Sequence, residues 1–215
     1  MSSVSPEPRR HTTTDIINAG FIAIIRCEQQ SEVAAIVDNL AEAGVLYVEI
    51  TSNTPGWQHE IKQARLRHPE LCIGAGTIKN TELVSQAADA GAQFIVTPNT
   101  NKAVVDAANK YQLTVLMGAF TPTEVADAIE YGADIVKLFP SEILGIKYFQ
   151  SLLGPFNDTH IMAVDNMSVE RAQQWLEAGA SGVAVGNILA YPCSSESEKE
   201  AQRMLAQRYM AVCQK

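Results

Sequence analysis

The order in which apolar strands and helices alternate is the feature that most constrains the fold of this chain. Eight short apolar runs, each followed by a helical pattern, are predicted as strands at residues 21–26, 46–51, 72–77, 93–97, 113–117, 134–140, 160–164 and 182–185. Repeated strand-then-helix order predicts a parallel sheet with helices outside it. Eight such units in 215 residues favour a closed (β/α)8 barrel, the TIM-barrel fold. An open doubly wound sheet is the alternative, although the chain lacks the GxGxxG pattern of a dinucleotide site.

We predict a single barrel domain over residues 12–215, preceded by a flexible tail at residues 1–11. The tail is polar, and no apolar segment follows its arginine pair, so an export signal is not indicated. A first helix is expected to begin at Thr13 or Thr14 and to end near residue 19, where Gly20 precedes the first strand.

Charge and composition exclude several classes of function. A net charge of −8 and a pI near 5.0 argue against nucleic-acid or anionic-membrane partners, because both require a basic surface. A small anionic substrate stays compatible, since a few local cations outweigh a screened global charge. The four cysteines and four histidines are scattered without ligand spacing, so we expect no protein-bound metal. No apolar run has the length of a membrane span, and we expect a cytoplasmic protein.

Lys137 is the first candidate for chemistry, because it lies inside the apolar run 134–140. Burial would lower the pKa of its amine and make it a nucleophile that attacks ketones to form Schiff bases. The alternative is a lysine that ends its strand and extends its ammonium group to water.

A repeat of glycines bears on that choice. The helices before strands two, four, six and eight each end at a glycine: Gly44, Gly91, Gly132 and Gly179. Five residues after these glycines lie Glu49, Val96, Lys137 and Ala184. Side chains from alternate strands share a layer inside such a barrel, so these four are predicted to form one. A register shift of one residue would instead point them outward.

Glu49 and Lys137 would then face each other inside the barrel. An ion pair is one interpretation, but buried ion pairs add little net stability. A Schiff-base lysine with its acid–base partner is the other. Polar residues end strands one to four at the same rim: Arg26, Thr51, Thr77 and Thr97. One arginine among hydroxyls suits a small carboxylate.

Four motifs carry a family resemblance: VEITSNTPGWQ, IGAGT, FIVTPN and VKLFPSEILG. They resemble class I pyruvate-dependent aldolases that cleave 2-keto-3-deoxy-6-phosphogluconate, and more closely the branch acting on the phosphogalactonate isomer. The resemblance extends from Phe21 to Tyr191. At Asn53 the phosphogluconate branch has an arginine, whereas the phosphogalactonate branch has asparagine there and an arginine ending strand one.

The resemblance implies a homotrimer that uses no cofactor. In it, Lys137 would form the Schiff base with pyruvate while Glu49 moves protons through a bound water. The pyruvate carboxylate would be held by Arg26 and Thr77. Pro98 and Phe139 would wall the pocket.

The far end of the pocket departs from the family pattern. Where the family has a Gly-Gly turn after strand seven and Gly-Ser at strand eight, this chain has Val164, Asp165 and Asn166 at the first and Gly186 and Asn187 at the second. Without the two glycines of the first turn, backbone amides there approach a phosphate less closely. A carboxylate at ~4 Å, with an effective dielectric near 20, would oppose a phosphate by about 4 kcal/mol per unit charge. The alternative is that Asp165 caps the next helix with its charge turned away.

The expected activity is Schiff-base cleavage of a 2-keto-3-deoxy-4-hydroxy acid to pyruvate and an aldehyde, with an eroded phosphate site. The substrate would be of the 2-keto-3-deoxy-6-phosphogluconate type or 4-hydroxy-2-oxoglutarate. Oxaloacetate decarboxylation through the same lysine is an alternative. A barrel that binds a keto acid and regulates a partner is an alternative of another class, although such a protein needs neither Lys137 nor Glu49. A phosphosugar isomerase is disfavoured by the altered phosphate turn.

Overall fold

The computed structural model describes the backbone of residues 9–214 and the side chains of residues 12–214. Its strands are β1 Phe21–Ile25, β2 Tyr47–Thr51, β3 Cys72–Gly76, β4 Phe94–Val96, β5 Thr114–Ala119, β6 Ile135–Leu138, β7 Ile161–Val164 and β8 Gly182–Val185. Its helices are α1 Arg9–Ala19, α2 Gln30–Glu42, α3 Trp57–Arg67, α4 Thr81–Asp89, α5 Lys102–Lys110, α6 Pro122–Glu130, α7 Ser141–Leu153, α8 Val169–Glu177 and α9 Glu196–Cys213.

The eight strands form one closed parallel barrel in chain order. The ring closes where β1 pairs with β8, with Ala23 opposite Val185. The predicted (β/α)8 fold is therefore confirmed, and the open sheet is excluded.

Two apolar clusters divide the protein interior. The larger lies between the barrel and its surrounding helices. The smaller fills the barrel and contains alternate residues of its strands, including Phe94 and Val96 of β4 and Val164 of β7. Since successive side chains of a strand point to opposite faces, one strand supplies both clusters.

The first helix packs against the apolar cluster inside the barrel. Ile16 of α1 is fully buried and belongs to the cluster inside the barrel, and Thr13 bonds Thr114 of β5 at 3.1 Å. This helix begins at Arg9, four residues before the predicted start at Thr13, so residues 9–11 of the predicted tail are helical. The rest of that tail, residues 1–8, lies outside the described residues.

Helix α7 also differs from expectation. The sequence pattern predicts a helix over residues 147–153, but α7 begins at Ser141 and contains a kink at Gly145, where φ is 76°. Glycine tolerates this left-handed conformation. The first turn of α7 therefore directly follows Phe139 and Pro140, next to the carboxyl end of β6.

Candidate active site

A cavity of about 360 Å³ opens at the carboxyl ends of the strands. All eleven residues that the sequence predicts for the site border it: Arg26, Glu49, Thr77, Pro98, Lys137, Phe139, Val164, Asp165, Asn166, Gly186 and Asn187. Three further residues also border it: Ile24, Asn53 and Lys79. The fold thus brings the end of strand one and the loops after strands seven and eight to a single site.

Glu49 and Lys137 lie at the floor of this cavity. Glu49 is on β2, opposite Gly74 of β3, and Lys137 is on β6, opposite Gly118 of β5. Their exposed fractions are only 2% and 7%. The two strands are four places apart in a ring of eight, so the side chains approach each other across the barrel, as the glycine spacing predicts. Lys137 is therefore buried and does not extend to solvent.

Burial also sets the protonation of this pair. It lowers the pKa of Lys137 by penalising the ammonium form; attraction to Glu49 opposes that change, while repulsion from Arg26 adds to it. It raises the pKa of Glu49, against the attraction of Lys137 and Arg26. The neutral amine is consequently easier to reach than in a free lysine, which favours attack on a carbonyl.

Two glycines give the floor its space. A Cβ atom at Gly76 would lie 1.7 Å from Oε1 of Glu49, and one at Gly118 would lie 2.4 Å from the carbonyl carbon of Pro98. Side chains at these positions would displace the Glu49 carboxylate or the loop after β4. Sequence reasoning did not select either glycine as a site residue. The signal for Gly76 was the GAG run inside β3.

Arg26 and Thr77 meet at the rim. The Arg26 guanidinium donates to the Thr77 hydroxyl at 3.5 Å. Thr77 has φ of 57°, a conformation unfavourable for a β-branched residue and one that tends to mark functional sites. The predicted rim residues Thr51 and Thr97 are instead fully buried. The Thr51 hydroxyl donates to the Ile25 carbonyl at 3.2 Å, as a strand-end residue would.

Thr97 positions the loop that carries Pro98. Its hydroxyl donates to the Asn99 carbonyl at 2.7 Å and accepts from the Gly118 amide at 2.9 Å. The cavity wall at Pro98 is thereby attached to β5, so Thr97 acts through the loop without bordering the cavity.

Phe139 covers the amine from the side of β6. Its ring centroid lies 4.8 Å from Lys137 Nζ, and the ring remains 38% exposed. The peptide bond to Pro140 is cis. An aromatic ring at this position reduces the access of water to the amine while leaving one side of it free for a ligand.

Lys79 is a cation that sequence reasoning missed. It is exposed, follows β3 by three residues and borders the cavity. Its carbonyl accepts from the Asn101 side chain at 3.2 Å, which ties its loop to α5. No local pattern distinguishes Lys79 from an ordinary surface lysine, because only the closed barrel brings it to the site.

The distal end of the cavity is formed by the five residues predicted for the phosphate region: Val164, Asp165, Asn166, Gly186 and Asn187. The Asp165 carboxylate accepts from the Glu142 amide at 3.1 Å and from the Asn166 amide at 2.8 Å. It therefore caps the first turn of α7. The next helix, α8, is capped by Ser168, so the alternative that Asp165 caps its following helix is wrong.

Among the described residues, no group of three histidine, cysteine or acidic side chains is arranged to hold a metal ion. The same part of the chain contains no helix long and apolar enough to span a membrane.

A closed barrel with its cavity at the carboxyl ends of the strands is the architecture of a (β/α)8-barrel enzyme. The family model described as KDPG and KHG aldolase matches residues 13–206. The chain belongs to this family, whose members are class I aldolases and carbon–carbon lyases.

Named relatives agree with this assignment. The 2-dehydro-3-deoxy-6-phosphogalactonate aldolase of Escherichia coli is 36% identical over 188 residues, which are 86% of this chain and 91% of the relative. The 2-dehydro-3-deoxy-phosphogluconate aldolase of Haemophilus influenzae is 29% identical over 84% of each chain. The solved structure described as native KDPGal superposes with a TM-score of 0.81 at 32% identity, over 89% of this chain and 93% of that one. The predicted family resemblance is confirmed.

Proposed function

We propose that this protein cleaves 2-keto-4-hydroxy acids to pyruvate and an aldehyde through a Schiff base on Lys137. The observation that carries the proposal is the buried Lys137 amine opposite the buried Glu49 carboxylate at the floor of the cavity. The names of the relatives, which are aldolases for phosphorylated 2-keto-3-deoxy sugar acids, support the same reaction type.

The proposed reaction begins when the neutral Lys137 amine adds to the C2 ketone; uptake of one proton and loss of water then give an iminium. Glu49, through a water molecule, accepts the proton of the C4 hydroxyl. The C3–C4 bond then breaks, its electron pair moves into the iminium, and the aldehyde leaves. Protonation of the resulting enamine at C3 and hydrolysis release pyruvate and the free amine.

The other cavity residues would orient the substrate. Arg26 and Thr77, bonded to each other at the rim, would hold the carboxylate next to the ketone. Pro98 and Phe139 would form the walls against which the pyruvyl group packs. We propose no cofactor, because the iminium itself accepts the electron pair.

Reductive trapping tests the nucleophile. Incubation with pyruvate and borohydride should add one reduced pyruvyl group to Lys137, detected by peptide mass spectrometry, and none in Lys137→Ala. Glu49→Gln should still form adduct while aldol turnover falls about 100-fold or more, the usual loss for an acid–base group. Absence of the adduct from the folded wild-type protein would exclude the Schiff base. Unchanged turnover in Glu49→Gln would remove Glu49 from its role.

The same assay separates the alternatives. Oxaloacetate decarboxylation would use the same iminium with carbon dioxide as the leaving group, so it predicts the adduct together with a higher kcat/KM on oxaloacetate than on 4-hydroxy acids. A regulatory barrel would bind keto acids without turnover of either class.

We also propose that the protein is a homotrimer, as the family resemblance implies. A similar solved chain, 33% identical with a TM-score of 0.82 over 90% of this chain and 71% of that one, belongs to a cage designed by fusing symmetric oligomeric domains. Sedimentation velocity tests the proposal, and a monomer at micromolar concentration would contradict it.

A further inference from the structure

Four backbone amides at or beside the distal end donate hydrogen bonds within the chain. The Asn166 amide donates to the Asp165 carboxylate at 2.8 Å, and the Ile188 amide donates to the Asn166 side-chain oxygen at 3.4 Å. The Leu189 and Ala190 amides donate to the Gly186 carbonyl at 2.9 and 3.0 Å. An anion at this end would therefore have to displace existing hydrogen bonds to reach these donors.

The Asn166 side chain also occupies space next to the turn after β8. A Cβ atom built at Gly186 would lie 3.2 Å from the Asn166 side-chain oxygen. This oxygen therefore lies against the backbone of the turn, where a phosphate oxygen would have to approach. The Asn166 side-chain oxygen, from the loop after β7, thus accepts the hydrogen bond that the loop after β8 donates.

The charge at the distal end also disfavours an anionic ligand there. Of its five residues, Asp165 carries a negative charge and none carries a positive one. The cavity cations Arg26 and Lys79 follow β1 and β3, whereas Asp165 follows β7. A carboxylate bordering a cavity repels a second anion there.

The polar side chains at the distal end are suited to hydrogen bonding with hydroxyl groups of a ligand. A carboxylate can accept about four hydrogen bonds, and Asp165 accepts two within the chain. Hydroxyl-to-carboxylate hydrogen bonds are charge-assisted and short. Asn166 and Asn187 carry side-chain amides, which both donate and accept. A chain of carbon atoms bearing hydroxyl groups matches such a surface.

We propose that the distal half of the substrate is an uncharged polyhydroxy chain, so that the enzyme prefers an unphosphorylated 2-keto-3-deoxy sugar acid. This rests on the proposed Schiff-base function and names the substrate class for it. The products would be pyruvate and a hydroxyaldehyde without phosphate. A terminal carboxylate, as in 4-hydroxy-2-oxoglutarate, would meet the same repulsion from Asp165 if it reached the distal end.

Substrate competition on the wild-type enzyme is the primary test. The kcat/KM for 2-keto-3-deoxygluconate and 2-keto-3-deoxygalactonate should exceed that for their 6-phosphates by about tenfold or more, because solvent in the open cavity screens part of the repulsion from Asp165. In the reverse direction, condensation of pyruvate should favour glyceraldehyde over glyceraldehyde 3-phosphate to a similar extent. A preference for either phosphorylated probe, or for 4-hydroxy-2-oxoglutarate, would overturn the proposal.

Asp165→Asn tests the residue itself, because asparagine removes the charge while keeping one side-chain oxygen, in place of two, to accept from the Glu142 or Asn166 amide. We expect the preference for the unphosphorylated probe to shrink by about tenfold. Asp106→Asn is the matched control: Asp106 is exposed on α5, pairs with Lys102 at 2.8 Å and does not border the cavity, so its preference should equal the wild type's. Equal preferences in all three proteins would show that Asp165 does not select the substrate.

Pyruvate trapping separates this proposal from the proposed function. An adduct on Lys137 together with a preference for phosphorylated probes would overturn the substrate class and leave the Schiff base in place. Failure to form the adduct would overturn both.

Discussion

The two ends of the cavity are built from different parts of the barrel. The end at which we propose that pyruvate binds, here called the pyruvyl end, is formed by Arg26, Glu49, Thr77 and Lys137, which lie in strands or directly after one. At the distal end, Val164 ends β7, and Asp165 and Gly186 directly follow β7 and β8, while Asn166 and Asn187 lie one residue further into the loops and are exposed. Strand register therefore places the groups proposed to react, whereas exposed loop residues complete the end at which we propose that the aldehyde half of the substrate lies. A family can keep one chemistry and change its substrates through the loops.

The two ends also differ in how they treat charge. At the pyruvyl end, burial lowers the pKa of Lys137 and raises that of Glu49, and the two groups oppose these shifts by attraction. At the distal end, Asp165 is half-buried and its oxygens accept backbone amides. Desolvation favours the neutral amine of Lys137, whereas two backbone hydrogen bonds hold the Asp165 carboxylate in place.

The largest effect should come from filling the space beside Glu49. In Gly76→Ala the new Cβ, at 1.7 Å from Oε1, forces the Glu49 carboxylate out of position. A displacement of about 1 Å in a catalytic group can cost about 100-fold, so we expect kcat to fall by that order. Pyruvate trapping on Lys137 and the preference between phosphorylated and unphosphorylated probes should be preserved, because neither depends on Glu49's exact position.

Gly154→Ala is the matched control for this variant. Gly154 has an ordinary φ of −59°, and a Cβ there would make only a van der Waals contact at 3.7 Å, so its kcat should stay near wild type. Thermal unfolding of both variants shows whether a loss of folded protein accounts for the loss of rate. A normal kcat in folded Gly76→Ala would mean that the carboxylate can act from another position.

Much of the fold could be predicted from the sequence because the β/α alternation is regular. The glycines that end alternate helices set equal distances into the next strand, and that spacing placed Glu49 and Lys137 in the barrel interior. Where an element begins without such a marker, prediction failed. Helix α1 starts at Arg9, four residues before the predicted start at Thr13, and the first turn of α7 is separated from the rest by Gly145.

The site was less predictable where it depends on contacts between loops. Lys79 lies in an exposed segment, and only barrel closure shows that it borders the cavity. Asp165 was expected to act on phosphate or on the helix that follows it, yet it accepts from Glu142, 23 residues earlier. A helix cap supplied by a distant loop leaves no periodic pattern in the sequence, since its two partners are close in space but far apart along the chain.

A smaller effect should appear in the pH profile when the charge at the rim is removed. Arg26 lowers the pKa of both Lys137 and Glu49. Loss of this charge therefore raises both pKa values. Because the proposed cleavage needs the neutral amine and the ionised carboxylate, the acidic limb of the kcat/KM profile should move to higher pH. Arg26→Gln should show this direction of change, together with about tenfold weaker kcat/KM from the lost carboxylate contact.

Arg65→Gln controls for net charge, since Arg65 lies on α3 and does not border the cavity. Its pH profile should match the wild type's. If the acidic limb of the kcat/KM profile does not shift in Arg26→Gln, solvent screens the Arg26 charge from Lys137 and Glu49.

The smallest effect should come from Thr77, where function and stability oppose each other. Its φ of 57° destabilises the folded state by about 1–2 kcal/mol for any residue with a Cβ. Glycine avoids this strain, but its greater conformational entropy in the unfolded state offsets part of the gain. Thr77→Gly should therefore be about 1 kcal/mol more stable than Thr77→Ala by urea unfolding. Both variants lose the hydroxyl that accepts from Arg26, so both should raise the KM for the substrate about threefold.

Comparison of these two variants measures the free-energy cost of the backbone conformation alone, because both lack the Thr77 hydroxyl. Equal stability would mean that the left-handed conformation at Thr77 is not strained. An unchanged KM in both would mean that the 3.5 Å contact with Arg26 does not orient the carboxylate. Since Thr77 belongs to the pyruvyl end, neither variant should alter the preference between phosphorylated and unphosphorylated substrates; a change in that preference would show that the two ends of the cavity are coupled.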